Sequence, residues 1–523
     1  MRRTRLLTAA LIWLWVLSLS IAFPISAASK PKTPAKESKA DIQRKAREQM
    51  ARMRRIMALN REAIEHFKAG RFDKCKMKLD GILKIDPKND IAHYNLACLY
   101  SRRKKFSKAI SELNTAINNG YMSFAFMEQD PDLEPLRGLS GYKKILVRRD
   151  KIQRDRATKI LASLKKRFGD EFICEIDHDN KLVFATDIDT HTLEELKVSL
   201  SKYADAQWKS LFENRFDEYV TVVIPRVPKN LPRMLGGAYD PGSRQLIVRS
   251  IGMVLTHEFT HALHFADQSA RGQSHPIWII EGLATLFESS KLVDGAAEPL
   301  PNHRANVIRS ILRRKATIPW SEFFKLSHSQ YMKKSALAYP QGRYIFMYLY
   351  ERGLLRKWYD AYTSGYEDDR TGAKAIEKVM GKSLDKVEAD WLVWAGKLKD
   401  VPLRVVARQA YIGVQLARQV DGLRIMRVVP GSAADRAGLK NGDVIVKLDG
   451  RRMADMGELL RTVTSHKVGD KVKIEFRRGG KYKTVTARLG AVPSDLMSGR
   501  RRPPRRPPRR PAPRTQPAKK KAA

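Results

Sequence analysis

His257-Glu258-Phe259-Thr260-His261 sets two imidazoles four residues apart with a carboxylate beside the first. On a helix, residues at that spacing lie about 40° apart around the axis and roughly 6 Å apart along it, so both imidazoles can reach one Zn²⁺. Glu258 then stands beside a water that zinc has acidified. Its carboxylate can take that water's proton and later hand it to a leaving amine. The chemistry implied is hydrolysis of a peptide bond without a covalent intermediate. A purely structural zinc is disfavoured, because structural sites usually close with four protein ligands, often cysteines, whereas catalytic sites keep a position open.

A catalytic zinc takes three protein ligands, and two residues compete to be the third. Asp267 completes a spacing that resembles the HExxHxxGxxD form of the metzincin pattern. The residue at the glycine position is His264, however, and the run Ala262 to Ala266 reads as continuing helix, so the sharp turn of that pattern is not expected. Glu281 lies in Pro276-Ile277-Trp278-Ile279-Ile280-Glu281-Gly282-Leu283-Ala284-Thr285, a second helix opened by proline after a Gly272-Gln273-Ser274 loop. Its carboxylate can face the first helix.

Trp278, Glu281, Gly282 and Ala284 match W-x-x-E-G-x-A, and with HExxH the pairing resembles the gluzincins, in particular peptidase MA-like metalloproteases. The resemblance spans residues 150 to 400, with the two helices as its specific part. It implies an α+β fold, one catalytic zinc on His257, His261 and Glu281, and Glu258 as general base. It also implies an edge strand that pairs with substrate, for which Gly236, Gly237 and Ala238 are the candidates, ahead of the Asp240-Pro241-Gly242 turn and the strand Leu246-Ile247-Val248. An ordinary sheet edge is the plain alternative. Related enzymes carry a tyrosine near the position of Tyr339, which here precedes an aromatic helical run from Tyr344 to Tyr350, to stabilise the oxyanion. His264 lies too far along the helix to share the zinc and is expected in packing or support. Glu288 is expected either to support a ligand or to be solvated, and Trp278 to pack the second helix on the first.

The elements that would carry this site belong to a long, strongly basic chain: 523 residues with 99 Lys and Arg against 56 Asp and Glu, a net charge of +43. Residues 1–28 read as a signal peptide, with basic Met1 to Arg5, an apolar run from Leu6 to Phe23, and Ser26-Ala27-Ala28 at the cleavage site. Export to the periplasm, envelope or outside is therefore expected, with an uncleaved N-terminal anchor as the alternative. Three cysteines, Cys75, Cys98 and Cys174, allow at most one disulfide, and the first two fall on apolar helix faces as small hydrophobes.

Residues 29–58 read as a basic linker and 59–150 as an all-α region. Within it Ala63, Gly70-Arg71-Phe72, Leu79 and Leu83 recur 34 residues later as Ala97, Lys104-Lys105-Phe106, Leu113 and Ile117, which resembles tetratricopeptide repeats. Such repeats either bind a partner peptide in a groove or act as a spacer. The metallopeptidase domain occupies 151–400. From 401 to 491 short strands and glycine turns follow, and Tyr411-Ile412-Gly413-Val414, Pro430-Gly431-Ser432-Ala433-Ala434, Gly442-Asp443-Val444-Ile445 and Asp449-Gly450 resemble a mainly-β PDZ domain of bacterial envelope type. The resemblance implies that Tyr411 to Val414 hold a peptide's C-terminal carboxylate, with strand addition alongside and helix residues Met456 to Leu460 shaping the side-chain pocket.

Residues 492–523, rich in Arg, Pro and Lys, lack core-forming side chains and read as a disordered tail, suited to a polyanion or an anionic membrane surface. No base-reading motif accompanies this charge, which argues against nucleic acid. The whole reads as an exported zinc metallopeptidase with modules that recruit protein or peptide substrates. The competing reading is a catalytically silent peptide-binding scaffold, against which the intact Glu258 and ligand set argue.

Overall fold

The computed structural model describes residues 39–226, 236–401 and 409–492; the signal-peptide and tail assignments lie outside them. The N-terminal part is helical: α1 (Lys39–Lys68), α2 (Phe72–Ile85), α3 (Asp90–Arg102), α4 (Phe106–Asn119), α5 (Phe124–Gln129), a 3₁₀ turn (Pro131–Leu136), α6 (Ser140–Val147) and α7 (Arg149–Phe168). Residues 39–58, read as linker, are instead the first two-thirds of α1. Basic residues there alternate with Ala, Met and Glu, all good helix formers, and Arg44 lies within 3.4 Å of Asp41 and of Glu48. Cys75 and Cys98 are buried free thiols, as expected for small hydrophobes.

The inner face of α3 is covered by the chain itself. Tyr94 stacks on Tyr121 at 4.2 Å and its hydroxyl donates to the buried Asp130 carboxylate at 2.7 Å, while Leu133 and Leu136 join the same core. A partner peptide would have to displace residues 121–136 to reach this face. The unit is also clamped to the domain that follows: Ala125 N donates to Asp217 at 2.6 Å and Arg149 pairs with the same carboxylate.

That next domain holds a five-stranded mixed sheet, built from β1 (Ile173–Asp177), β2 (Leu182–Thr186), β3 (Val220–Ile224), β4 (Gly237–Asp240) and β5 (Gln245–Val248). Its order is β1-β2-β3-β5-β4; β2, β3 and β5 are parallel, and β4 returns antiparallel along β5 as an edge. The parallel strands β2 and β3 are apolar and buried on both faces, one covered by α7 and the other by the main core. Helix α8 (Thr190–Ser210) crosses between β2 and β3, and α9 (Met253–Arg271) and α10 (Ile277–Phe287) follow the sheet. A hairpin of β6 (Ser290–Val293) and β7 (Ala296–Pro299) leads into α11 (Arg304–Arg313), α12 (Trp320–Phe323), α13 (His328–Lys333), α14 (Ser335–Glu351), α15 (Leu355–Ser364), α16 (Ala373–Met380) and α17 (Leu384–Gly396).

Trp278 does not bridge α10 to α9. It stacks on Phe346 at 5.0 Å and meets Phe324 and Trp358, and its Nε1 donates to Thr371 O at 2.9 Å, so it fastens α10 to α14 and α15. Gly282, beside the metal-candidate Glu281, lets α14 approach: a Cβ there would stand 2.5 Å from the Phe346 ring. Tyr339 likewise sits inside α14 rather than ahead of it. Pro340 follows it in the second turn of α14, where the ring removes the donor that Ala336 O would otherwise receive.

The last domain comprises β8 (Ala410–Tyr411), β9 (Val414–Gln419), β10 (Gly422–Val428), α18 (Ala433–Arg436), β11 (Val444–Leu448), β12 (Arg451–Arg452), α19 (Met456–Thr464), β13 (Lys471–Arg478), β14 (Lys481–Arg488) and β15 (Gly490–Ala491). Its main sheet runs β14-β13-β11-β10-β9, which leaves β9 at an edge. Among the described residues no helix is long and apolar enough to cross a membrane.

Candidate metal centre and peptide groove

Helix α9 has one face in the core, through Leu255, Phe259, Ala262 and Leu263, and turns His257 and His261 towards α10. The two Nε2 atoms are 3.1 Å apart, and Glu281 Oε2 lies 3.4 Å from one and 3.6 Å from the other. Four ligands placed tetrahedrally at about 2.1 Å from a zinc ion are about 3.4 Å from one another, so these spacings fit three corners of such a site. Glu281 Oε2 is buried, and its nearest polar neighbours are the two imidazole Nε2 atoms, so a cation placed between the three would satisfy it. Burial works against charge on His257, yet Glu281 and Glu288 outweigh it and hold the imidazole up at about 10. A divalent cation would compete for the same lone pair.

Glu258 points from the same helix towards edge strand β4. A Cβ on Gly237 would stand 2.8 Å from Glu258 Cγ, so only a bare backbone lets the strand pass this close. Burial holds the Glu258 carboxyl above the usual range against the pull of His257 and His261, which suits a group that must accept a proton. Tyr339 faces the cluster, its ring 6.4 Å from that of His257; burial, reinforced by Glu281, keeps the phenol protonated and therefore a donor. Gly236 precedes β4, and Gly237 and Ala238 begin it.

Asp267 is not part of this cluster. Its side chain is fully buried on the far side of α9, where Oδ1 accepts from Glu213 N, Asn214 N and Asn214 Nδ2 at 2.8–3.0 Å. Oδ2 accepts from Arg271 Nε at 2.9 Å and Tyr359 Oη at 2.7 Å. Burial alone would raise this carboxyl; Arg271 and the hydrogen bonds reverse that and hold it low.

Glu288 turns out to be buried rather than solvated. Its Oε2 receives the His257 Nδ1–H at 3.2 Å, while Arg304 Nε and Asn302 Nδ2 donate to Oε1 at 2.7 and 2.9 Å. A carboxylate on the back nitrogen orients an imidazole and raises its basicity as a ligand. Glu288→Ala is expected to weaken zinc binding about 10–100-fold, measured by competition with a chromogenic chelator; unchanged affinity would remove this support role.

His264 packs, with its ring stacked on Phe212 at 5.2 Å and its Nε2 2.8 Å from His275 Nδ1. Burial pushes His264 down to about 3 and His275 well below its ordinary value. At these two sites the unfolded chain therefore binds more protons in mild acid, and the stability they contribute falls as pH drops below about 6.5. In chelator-treated protein His264 alone should lose about 2 kcal/mol between pH 7.5 and pH 5. A thermal midpoint that does not fall across that range would contradict this.

In the last domain Tyr411 ends β8, Ile412 and Gly413 form the loop and Val414 starts β9. Gly413 has φ +92°, a region that disfavours side chains, and its carbonyl accepts from Val429 N. Ile412 O in turn accepts from Ala434 N, which ties the loop to α18. Helix α19 packs behind it, with Leu459 and Val463 in the core and Met456 exposed. Residues 410–489 match the PDZ domain family model.

The C-terminal part is a PDZ domain. A DegP-like periplasmic serine endoprotease of a Marinomonas species is 41% identical over 75 residues, which cover 14% of this chain and 16% of that protein. The Ralstonia nicotianae protein RSc1411, described as a zinc metalloprotease, is 30% identical over 139 residues, 26% of this chain and 28% of that one. The chain thus spans about a sixth and about a quarter of the length of these two relatives. Among solved structures, the HtrA3 PDZ domain bound to a phage-derived ligand is 26% identical, covering 16% of this chain and 88% of that one with a TM-score of 0.15.

Proposed function

We propose that the chain is an envelope-associated zinc-dependent peptidase whose PDZ domain binds peptide segments. The observation that carries this reading is the convergence of His257 Nε2, His261 Nε2 and Glu281 Oε2, all within 4.8 Å of one another, with the buried Glu258 carboxylate beside them. A zinc ion held by these three residues would supply Lewis acidity, acidifying a water and polarising the scissile carbonyl. The chain's own groups do the rest. Glu258 accepts the proton of the attacking water at its carboxylate and returns it to the leaving nitrogen. The Tyr339 hydroxyl, kept protonated, donates to the developing oxyanion, and β4 offers its backbone to an extended substrate. Glu288 holds His257 through Nδ1, and Arg304 holds Glu288. The gluzincin resemblance and the RSc1411 relative point the same way.

In this reading the repeat-like helices act as a spacer that braces the catalytic domain, because residues 121–136 cover the inner face of α3. Envelope location fits the periplasmic relative, and the basic surface suits polyanions or anionic lipid. The test is metal analysis of the purified full chain. One zinc per chain, lost in Glu281→Ala, is expected, because that variant removes one of three ligands. One zinc retained in Glu281→Ala would overturn the ligand set.

A further inference from the structure

The PDZ domain is not a loose appendage: its groove ends against the start of the metal-candidate helix. The groove lies between β9 and α19, which run in opposite senses. Its loop end is at Gly413, where α19 packs on β8, and its other end is at Val420 and Asp455, the residues next to Gln419 and Met456. Both flanks of that second end touch the catalytic domain. Ile251 N donates to Val420 O at 3.0 Å, and Ser250 Oγ donates to Ala454 O at 3.2 Å. Gly252, which caps α9, packs on Ala454 so closely that a Cβ would stand 2.8 Å from the alanine methyl.

Polar contacts hold this placement along α8 and β3. Glu195 pairs with Lys447 and Arg452, Asp189 accepts from Arg477 at 2.6 Å and from Tyr482 at 2.7 Å, and Arg226 meets the buried Asp421 at 3.1 Å. The catalytic edge strand starts at the same junction, since Arg249 N donates to Gly236 O and Gly237 then passes over Glu258.

The strand senses agree as well. A peptide antiparallel to β9, with its C-terminus at Gly413, has its upstream residues at Val420, beside Ser250–Gly252. Continued upstream, it meets β4 at the Gly237 end and moves towards Asp240, which is antiparallel to β4 too. One extended chain can therefore add to both edges without reversing direction.

Resting on the peptidase reading, we infer that the substrate is a polypeptide with a free C-terminal carboxylate and an apolar last residue, held at Gly413 and led along β9 onto β4 to be cut upstream of its own C-terminus. Val414 and Leu416, partly buried on β9, offer the apolar contact. The six residues of β9 span about 20 Å and the helical rise from Gly252 to Glu258 adds about 9 Å, so the cut falls about nine residues from the C-terminus.

Two measurements on the full chain test this. In Glu258→Gln, an unstructured peptide carrying a photoreactive benzoylphenylalanine about nine residues before its free C-terminus should cross-link to residues of β4 or α9. Amidation of that C-terminus should lower the yield at least tenfold. Cross-links confined to the PDZ surface or to other domains, or equal yields from acid and amide, would overturn the inference. In the unsubstituted chain, adding one residue to the C-terminus should move the cut by one residue. Cleavage at positions indifferent to the C-terminus would overturn the path while leaving the peptidase standing. Carboxylate-dependent cross-linking to β4 without any cleavage would uphold the path and refute the peptidase.

Discussion

Glu258→Gln is expected to keep zinc and to lower turnover about 100- to 10,000-fold. The amide is nearly the same size, so the close approach of Gly237 and the position of α9 survive the change. What disappears is the acceptor: an amide cannot take the proton of an attacking water or return it to a leaving amine. The loss should appear in kcat, since a group that acts during proton transfer contributes little to ground-state binding. Rates on one cleaved peptide and zinc content measured on the same preparations separate the two effects. A variant with full turnover would remove Glu258 as the base, and one that lost zinc would mean the carboxylate does something other than proton transfer.

Asp267→Ala should produce the opposite pattern: zinc retained and the fold weakened, by about 3–5 kcal/mol. Five donors converge on this carboxylate, from Glu213, Asn214, Arg271 and Tyr359, and truncation would leave them facing an apolar void. The penalty comes mainly from the stranded donors, since Arg271 keeps its second partner, Glu213, when the Asp267 carboxylate is removed. Denaturant unfolding and metal analysis on the same variant check both halves. Zinc lost from a variant of normal stability would favour the metzincin-like spacing in which Asp267 is a ligand.

Local spacing made much of the candidate site legible. Two histidines four apart must share a helix face, and a proline-opened helix shortly after must lie nearby, so the cluster of His257, His261 and Glu281 could be anticipated from the chain alone. Gly282 is now explained by the Phe346 ring that presses on it. What sequence reading missed depends on segments far along the chain. Trp278 finds its partners in Phe346 and Trp358, about 70 to 80 residues later, and nothing near it signals that direction. For Glu288 the sequence left support of a ligand and solvation both open, and its partnership with His257 is fixed by Asn302 and Arg304, which return only after the β6–β7 hairpin. The signal available was a glutamate two turns beyond Glu281. The dense basic run of residues 39–58 suggests a solvated linker, although its Ala, Met and Glu content favours the helix that the structure shows. The PDZ loop was readable because glycine positions mark it, whereas its docking on Ser250–Gly252 uses backbone groups that every residue carries.

Whether the chain is a zinc peptidase is decided by cleavage of a mixed peptide library by the purified full chain before chelation, after chelation and after zinc is restored. Peptide-bond cleavage should vanish with the chelator and return with one equivalent of zinc. Cleavage that persists in the chelated protein, or none at all from a chain carrying its full zinc, would contradict the zinc-peptidase reading.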